Sequence, residues 1–434
     1  MKPAVVCGVA LGLSTVAAAT NAWGSAFALR ENSAEEVGTA GAGAGSRATD
    51  LDTVYNNPAG MTRLDGTQIE FGAAVPTTSI DFHGTATLAG TQISGNQGSA
   101  GRTAIVPNFY FSTPLTRFGL SDDWRAGVAI TSPFGTAVKY DSPWIGRYLG
   151  VASSIISINV NPVIAYRVNS WLSIGGGPDI QYFKANVFNN INQSAILGIP
   201  GVGDATARLV SDDQSVGYNV GILLEPLEGS RIGLTYRSGI NHNTHGTFNF
   251  SDVSPFLAGA LVSSQFANAD FKLPATAGFS FTQQVTPRLS LSTDVQWTNW
   301  SVFKEVDITD TPTGTVLDPN PENYKNTWFV AFGGVYNLTD QVTLRAGAAW
   351  DQSPITNHWR TVFLPDQDRY TIGVGLGYKF NPAISADLAY AHYFAAPASM
   401  NESFNRFDHV TGSVLQGVYN VAIDYAALSF RVHF

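Results

Sequence analysis

Length, composition and charge restrict what this chain can be. It has 434 residues, of which 13% are charged, well below the roughly 25% of ordinary soluble domains. Its formal net charge of −9 leaves no basic face for nucleic acid, which excludes that class of partner. The single cysteine, Cys7, lies in an apolar N-terminal run, so disulfides, cysteine metal sites and thiol chemistry are excluded from the rest of the chain.

Residues 1–24 have the pattern of a secretory signal peptide. Lys2 is their only charge, an apolar run covers residues 4–19, and Ala22-Trp23-Gly24 fits a small-x-small cleavage site. The run is too short to cross a bilayer as a helix. An exported chain with little charge, many glycines and aromatics, and no later apolar helix is typical of outer-membrane β-barrels.

Residues 25–67 show neither strand alternation nor a strong helical stripe. Their centre is Asn57-Pro58-Ala59, and a run of small residues covers 38–46. The segment also lacks the polar, highly charged composition of a disordered tail. We predict a compact hatch that plugs the lumen built by the strands, as in other large barrels. A mobile N-terminal linker is the alternative.

From about residue 68 onward, apolar and polar residues alternate with a period of two. Tyr370, Ile372 and Val374 fall on one face, for example, and Thr371 and Gly373 on the other. Such alternation predicts strands with one apolar and one polar side. Many runs reach ten residues, which is the length that a tilted strand needs to cross a bilayer.

These runs predict an all-β fold, a 14-stranded antiparallel transmembrane β-barrel over residues 68–434. Such barrels have an even number of strands, with short periplasmic turns and longer external loops. The connections in this chain alternate in length in that way. The predicted strands cover 68–83, 103–113, 124–133, 155–168, 171–186, 213–225, 229–250, 271–284, 288–303, 326–337, 341–352, 368–380, 383–394 and 415–434.

Two of the long connections, 187–212 and 251–270, are unusually apolar, and 255–262 could form a short amphipathic helix. Because external loops are normally polar, we interpret them as a landing site for a hydrophobic ligand. The alternative is a lid in which the two loops pack on each other. The candidate landing residues are Ile196, Leu197, Ile199, Phe256, Leu257 and Leu261.

Several short motifs, in order along nearly the whole mature chain, make it resemble the FadL-type long-chain fatty acid transporters of Gram-negative outer membranes. The terminal aromatic, Phe434, likewise resembles the signal by which barrel-assembly machinery recognises its clients. The motifs are Phe27-Ala28-Leu29-Arg30-Glu31, Asn57-Pro58-Ala59, Val106-Pro107-Asn108, Ile130-Thr131-Ser132-Pro133-Phe134-Gly135, Leu234-Thr235-Tyr236-Arg237-Ser238, Trp297-Thr298-Asn299-Trp300-Ser301, Asp351-Gln352-Ser353-Pro354 and Leu364-Pro365-Asp366-Gln367-Asp368-Arg369.

The resemblance implies capture on the two apolar loops, an inner pocket beside the hatch, and lateral release through a kink in the third strand. We expect the kink at Ser132 and Pro133, because proline removes a donor from the strand ladder. At the two positions where the family has basic residues for a ligand carboxylate, this chain has Asn189 and Asn320. Related members carry aromatic hydrocarbons such as toluene, which need no carboxylate partner.

Four basic residues are therefore candidate carboxylate partners. For each of them, an ordinary ion pair inside a polar barrel lumen is the alternative. They are Lys184, Lys325, Arg360 and Arg369.

The expected function is passive transport of long-chain fatty acids or similar hydrophobic molecules across the outer membrane by a monomer, without cofactor or metal. Uptake of aromatic hydrocarbons is the alternative, and a general diffusion porin is a third reading that gives no reason for a hatch or apolar loops. A lipid hydrolase would need a nucleophile motif, and neither a G-x-S-x-G sequence nor a suitable setting for any of the seven histidines is present. We expect no catalytic residue.

Overall fold

A computed structural model describes residues 26–88, 90–261, 263–402 and 413–434. The predicted signal peptide, 1–24, lies outside the described residues. The alternating segments form fourteen antiparallel strands, and each pairs with its neighbour in chain order. The first strand also pairs with the last, from Gln68↔His433 to Leu88↔Ser413, so the sheet closes into a barrel. The predicted fold class is confirmed.

The barrel strands are numbered here in chain order. They are β1 Gln68–Leu88, β2 Val106–Pro114, β3 Trp124–Thr131, β4 Ala152–Arg167, β5 Leu172–Ile191, β6 Ala205–Leu227, β7 Ser230–Arg237, β8 Thr276–Gln284, β9 Leu289–Thr298, β10 Thr327–Asn337, β11 Val342–Asp351, β12 Arg369–Asn381, β13 Ile384–Ala395 and β14 Ser413–His433. The additional strands, mostly beyond the outer rim, are Thr91–Gln92, Gly135–Lys139, Ile240–Ser251, Ser264–Leu273, Ile308–Asp310, Thr315–Asp318 and Ala398–Glu402.

The helices are short. They are α1 Ala34–Thr39, α2 Thr53–Asn56 and α3 Gln193–Leu197, with 3₁₀ turns at Pro58–Arg63, Leu115–Phe118 and Trp300–Val302. None of the helices in the described part of the chain is long and apolar enough to cross a membrane.

The two faces of the wall follow the alternation of the sequence. In β12 the side chains of Tyr370, Ile372 and Val374 are 63%, 55% and 51% exposed, whereas Thr371 between them is buried. Large apolar side chains point outward all around the ring. Such a surface is stable where lipid covers it, because the chain then exposes no polar face to hydrocarbon.

Several strands run further outward than the sequence suggested. β5 continues to Ile191 and β6 begins at Ala205, which shortens the predicted loop 187–212 to 192–204. The reason is that the polarity of the alternation inverts there. Ala207 and Leu209 face inward and are buried, while Arg208 is exposed on the outer face. A strand that leaves the bilayer has water on its outer face, so its apolar side turns to the lumen.

The short helix expected at 255–262 is replaced by turns over 255–260. A helix forms in the other apolar loop, at α3. Asn192 caps it by accepting a hydrogen bond from the Ala195 N–H (2.9 Å), and Gly198 ends it with a φ of 66°. The 255–262 run instead contains an internal glycine, which weakens a helix.

The hatch fills the inner part of the lumen. Ser33 caps α1 by accepting a bond from the Glu36 N–H (3.1 Å), and the Glu36 carboxylate accepts one from the Asn32 N–H (2.7 Å). α1 packs on the inner faces of β11 to β14. Wall glycines permit this close approach: a Cβ at Gly347 would meet the carbonyl of Thr39 in α1.

An ionic cluster anchors α1 and the segment after it to the wall. Arg431 of β14 lies 2.7 Å from Glu35, 3.1 Å from Asp50 and 2.7 Å from Glu70. Arg345 of β11 contributes a second cation, 3.8 Å from Asp50. All of these side chains are buried or nearly so, and water therefore screens their attraction very little.

Asn57 of the Asn-Pro-Ala motif joins three parts of the protein. Its side-chain amide donates to the Gly45 carbonyl (2.7 Å) and to the Ile222 carbonyl of β6 (3.0 Å), and its oxygen accepts from the Ala59 N–H (3.2 Å). Asn57 is completely buried. Pro58 and Ala59 then open the 3₁₀ turn, where proline's missing N–H costs nothing.

Replacing Arg431 with Gln should loosen the hatch. The change leaves Glu35 and Glu70 without their nearest cation, and breaking a buried ion pair from one side costs about 3–5 kcal/mol. Hydrogen exchange of the backbone amides of residues 33–52 should accelerate, while the barrel strands stay protected. Lys379→Gln, which removes an exposed charge from β12, is the control. Equal exchange in both variants would contradict the anchoring role.

Asn57→Ala should free the second half of the hatch. Two carbonyls and one N–H lose their partner, and each buried polar group left unsatisfied costs about 1–3 kcal/mol. We expect faster hydrogen exchange over residues 53–63 and a rise in single-channel conductance in planar bilayers. Asn243→Ala, at an exposed position on the outer extension, should change neither. An unchanged conductance together with unchanged exchange would show that Asn57 does not hold the hatch closed.

Candidate functional site

Two cavities lie in the lumen on the outer side of the hatch. The inner cavity, of about 140 Å³, is lined by the hatch and by polar side chains of β5 to β9. The outer cavity, of about 90 Å³, is lined mainly by apolar side chains, among them Ile155, Leu209 and Phe271. Both are smaller than the roughly 300–1,000 Å³ of typical ligand pockets.

The first residues of the hatch, 26–31, lie between the two cavities, and we call them the leading segment. Phe27 lines the outer cavity, whereas Ala28, Leu29 and Arg30 line the inner one. The Phe27 ring packs within an aromatic cluster, with ring centroids 5.0 Å from Trp300 and 5.4 Å from Phe303.

The leading segment is hydrogen-bonded to a break in the barrel wall. β3 ends at Thr131, and the strand resumes only at Gly135, so Ser132 and Pro133 lie in the break. The Gly135 N–H donates to the Phe27 carbonyl (2.9 Å), and the Leu29 N–H donates to the Pro133 carbonyl (2.8 Å). The hatch thus supplies the partner that a neighbouring strand would provide.

The break also has a partner on its other side. The Ser157 hydroxyl of β4 donates to the Phe134 carbonyl (2.6 Å) and accepts from the Phe134 N–H (2.8 Å). The ladder between β2 and β3 extends outward only to Phe109↔Ile130, and Gly135–Lys139 pairs with β4 alone among the strands of the described chain. Because Pro133 and Phe134 line the inner cavity, the break lies directly beside it.

The inner cavity contains two arginines. Arg237 forms an ion pair with Asp179, donates to the Tyr55 carbonyl (2.7 Å) and lies 3.9 Å from the centroid of the Tyr55 ring. Arg30 lies 4.6 Å from the centroid of the Phe329 ring. Neither arginine was predicted to be a ligand contact, although both belong to the motifs on which the family resemblance rests. The alternation in β7 would have placed Arg237 in the lumen, since Leu234 and Tyr236 face outward.

Acidic groups beside the inner cavity are shifted toward their neutral form. Burial, reinforced by the nearby Asp52 carboxylate, raises the pKa of Glu36 well above its usual range. Burial also raises the pKa of Glu31, in spite of the hydrogen bond from Tyr393. A raised pKa favours the uncharged carboxylic acid, so less negative charge faces the cavity than the residue types suggest.

The four predicted carboxylate partners line neither cavity. Lys184 alternates with the buried Phe183 and lies opposite the exposed Asp212, which places it on the outer face of the wall. Lys325 is exposed on a loop. Of the two asparagines at the family's basic positions, Asn320 lines the outer cavity.

The other two candidates, Arg360 in the loop before β12 and Arg369 at the start of β12, are buried and already bonded to the protein. Arg360 donates to the Asp366 carbonyl (3.1 Å) and to Asn357 (2.8 Å). Arg369 lies 3.4 Å from Asp351 and 3.5 Å from Asp366. Arg369 thus has the ion pairs that the alternative describes, whereas Arg360 has hydrogen bonds to a backbone carbonyl and a side-chain amide. In the described part of the chain, no group of three or more His, Cys, Asp or Glu residues is placed to hold a metal ion.

The two apolar external loops meet. The Gln193 amide donates to the Asp252 carbonyl (2.9 Å) and its oxygen accepts from the Ser254 N–H (2.6 Å). Phe256 is 76% and Ile199 44% exposed, whereas Leu257 is buried. Ile196, Leu197 and Leu261 are half-buried. The loops therefore pack on each other and still offer an apolar surface to the exterior.

Comparison with known proteins agrees with this architecture. The family described as outer membrane protein transport protein (OMPP1/FadL/TodX) matches residues 15–434. A long-chain fatty acid transport protein of Escherichia coli O6:H1 is 29% identical, over 88% of this chain and 90% of its own. Outer membrane protein P1 of Haemophilus influenzae is 30% identical, over 88% of each chain.

Among solved structures, a Pseudomonas aeruginosa FadL homologue superposes with a TM-score of 0.87 at 26% identity, covering 94% of this chain and all of the other. The Pseudomonas putida toluene transporter TodX superposes with a TM-score of 0.66 at 18% identity, covering 94% and 100%. The second likeness concerns the fold alone. With its closed barrel, its hatch and these matches, the chain belongs to the OMPP1/FadL/TodX family of outer membrane transport proteins and resides in the outer membrane of a Gram-negative bacterium.

Proposed function

We propose that this protein transports long-chain fatty acids passively across the outer membrane. The observation that carries the proposal is the order of environments along the lumen. A mainly apolar outer cavity leads to an inner cavity that contains two arginines, and the leading segment separates them. That order suits an amphiphile with a long apolar tail and an anionic head. The identified relatives include proteins named for long-chain fatty acid transport, which supports the same substrate class.

The driving force for capture is the hydrophobic effect. Each CH₂ group that leaves water gains about 0.8 kcal/mol, so a long tail partitions strongly into an apolar lumen. The exposed Phe256 and Ile199 form the first contact at the outer rim. The tail then enters the outer cavity beside Phe271 and Phe303. No energy source is required, because the first step moves the tail out of water and the next keeps it in contact with apolar side chains.

Release is lateral, through the break at Ser132 and Pro133. The leading segment closes that break with only two backbone hydrogen bonds. Each contributes about 0.5–1.5 kcal/mol net, so these two bonds by themselves oppose opening of the break only weakly. The ligand then leaves sideways, between β2 and the resumed strand, without crossing the periplasmic end of the lumen where the anchored part of the hatch lies.

Uptake of aromatic hydrocarbons is the second candidate function. It is favoured by the lining of the outer cavity, where Phe271, Phe303 and Phe363 surround a space of about 90 Å³. A small aromatic molecule needs no carboxylate partner and fits a smaller space than a fatty acid. A general diffusion porin is disfavoured because the hatch occupies the lumen.

Further assignments belong to the same proposal. The protein works as a monomer and catalyses no reaction. Residues 1–24 are removed as a signal peptide, residues 25–67 form the hatch, and barrel-assembly machinery recognises Phe434. The sequence pattern and the closed barrel support the signal peptide, the hatch, the C-terminal signal and the lack of catalysis, and the family resemblance supports the monomer.

Binding of oleate and toluene to the purified, detergent-solubilised protein tests the substrate class. Oleate binding with little steady conductance in planar bilayers is the expected result. Toluene binding without oleate binding would instead establish the hydrocarbon function. If neither ligand bound and steady conductance were high, the transport proposal would be wrong and the protein would be a porin. A Leu197/Phe256 double alanine variant should slow oleate uptake into proteoliposomes without altering equilibrium binding.

Phe27→Ala should open the connection between the two cavities. The substitution removes the ring that packs against Trp300 and Phe303 but keeps the two backbone bonds to the break. We expect faster fatty acid transfer into proteoliposomes, at a stability cost of about 3–5 kcal/mol typical of a buried Phe→Ala change. Phe183→Ala, an equally buried lumen position away from the leading segment, is the control. If both variants speeded transfer alike, Phe27 would have no specific gating role.

A further inference from the structure

Of the two arginines that line the inner cavity, Arg30 has the fewer and longer polar contacts with the protein. Its Nη2 lies 3.7 Å from Asp351 Oδ1 and 3.5 Å from Thr298 Oγ1. Charge-assisted bonds are shorter, about 2.7–2.9 Å. Its Nε is buried and has no hydrogen-bond partner among the described residues. Since a guanidinium carries five N–H donors in a planar fork, most of this fork is available to a ligand.

Asp351 does not depend on Arg30 for charge compensation. Arg369 Nη2 lies closer to it, at 3.4 Å from Oδ2, and is itself almost fully buried. The contact between Arg30 and Asp351 is therefore the weaker of two. A competing carboxylate can displace it without leaving Asp351 as an isolated buried charge.

Arg237, the other arginine of the inner cavity, is committed to the protein. Its partner Asp179 also accepts hydrogen bonds from Asn159 (2.8 Å) and Asn219 (3.2 Å), which form a fixed network in the wall. The Tyr55 ring covers its face. Binding a ligand there would require breaking an ion pair and several hydrogen bonds at once.

The surroundings of Arg30 suit an anionic head group. The Phe329 ring supports its guanidinium from one side, at 4.6 Å, and so fixes the plane of the fork. Phe27, three residues earlier, borders the apolar outer cavity. A single ligand can thus extend from the apolar cavity, past the leading segment, to the arginine.

We propose that Arg30 binds the carboxylate of a long-chain fatty acid in the inner cavity, exchanging its contact with Asp351 for one with the ligand. The inference rests on the proposed transport of fatty acids. Because Arg30 belongs to the leading segment, the ligand acts directly on the residues that close the break. The leading segment then both binds the head group and opens the lateral path.

Comparing palmitate with 1-hexadecanol, which has the same chain length and no charge, tests the proposal. Wild-type protein should bind palmitate more tightly than the alcohol. Arg30→Gln should weaken palmitate binding by about tenfold to a hundredfold, the value of a hydrogen-bonded charge pair, and leave hexadecanol binding within about twofold. Arg30→Lys should restore part of the preference. Arg208→Gln, at an exposed position on the outer face, is the control for loss of an arginine.

Asp351→Asn should increase the affinity for palmitate, a result that a misfolded variant could not produce. It removes the competing carboxylate, so palmitate binding should become tighter while hexadecanol binding stays the same. An Arg30→Gln variant that weakened both ligands equally, or neither, would overturn the inference and leave the transport function intact. Failure of the wild type to bind palmitate at all would refute the transport function itself.

Discussion

In a bilayer every backbone N–H and C=O group must find a partner inside the protein, and this requirement shapes the whole molecule. The pairing of β1 with β14 removes the edges of the sheet. The break after Thr131 is the place where the ladder fails. Its polar groups are satisfied instead by Ser157 on one side and by the leading segment on the other. The hatch is therefore part of the wall's hydrogen bonding as well as a plug.

The hatch is held with very different strength along its length. Around Glu35 and Asp50, Arg431 of β14 forms short ion pairs with it and Arg345 of β11 adds a longer one, and Asn57 adds three hydrogen bonds further along. The leading segment has two backbone bonds to the break, a bond from the Ala26 N–H to Asp366 (3.0 Å), a bond from Tyr393 to Glu31, the long contact of Arg30 with Asp351, and the packing of the Phe27 ring. A ligand that pairs with Arg30 and breaks the two bonds at the break can move this segment while the anchored part stays in place. Such a division allows sideways exit while the periplasmic end remains closed.

Much of the fold could be predicted from the sequence because the bilayer imposes a simple rule. Where lipid lies outside, as along Tyr370 to Val374, apolar residues point outward and the alternation is easy to recognise. The alternation inverts at Ala205 to Leu209, where water lies outside and apolar side chains point inward. The sequence pattern therefore predicts a loop where the structure has a strand. The candidate site was harder. The charge and position of Lys184 suggest a ligand contact, but the alternation of side chains in β5 places it on the outer face, away from the lumen.

Arg30 illustrates why the rest could not be predicted. It belongs to a segment without periodicity, so nothing in the neighbouring residues indicates which way its side chain points. Its role follows from where the hatch lies inside the barrel, from the ring of Phe329 beside it, and from Arg369, which already compensates Asp351. A cation on the wall could only hold a ligand. A cation on the leading segment, next in sequence to Leu29, whose N–H bonds to Pro133, can also transmit the ligand's arrival to the break.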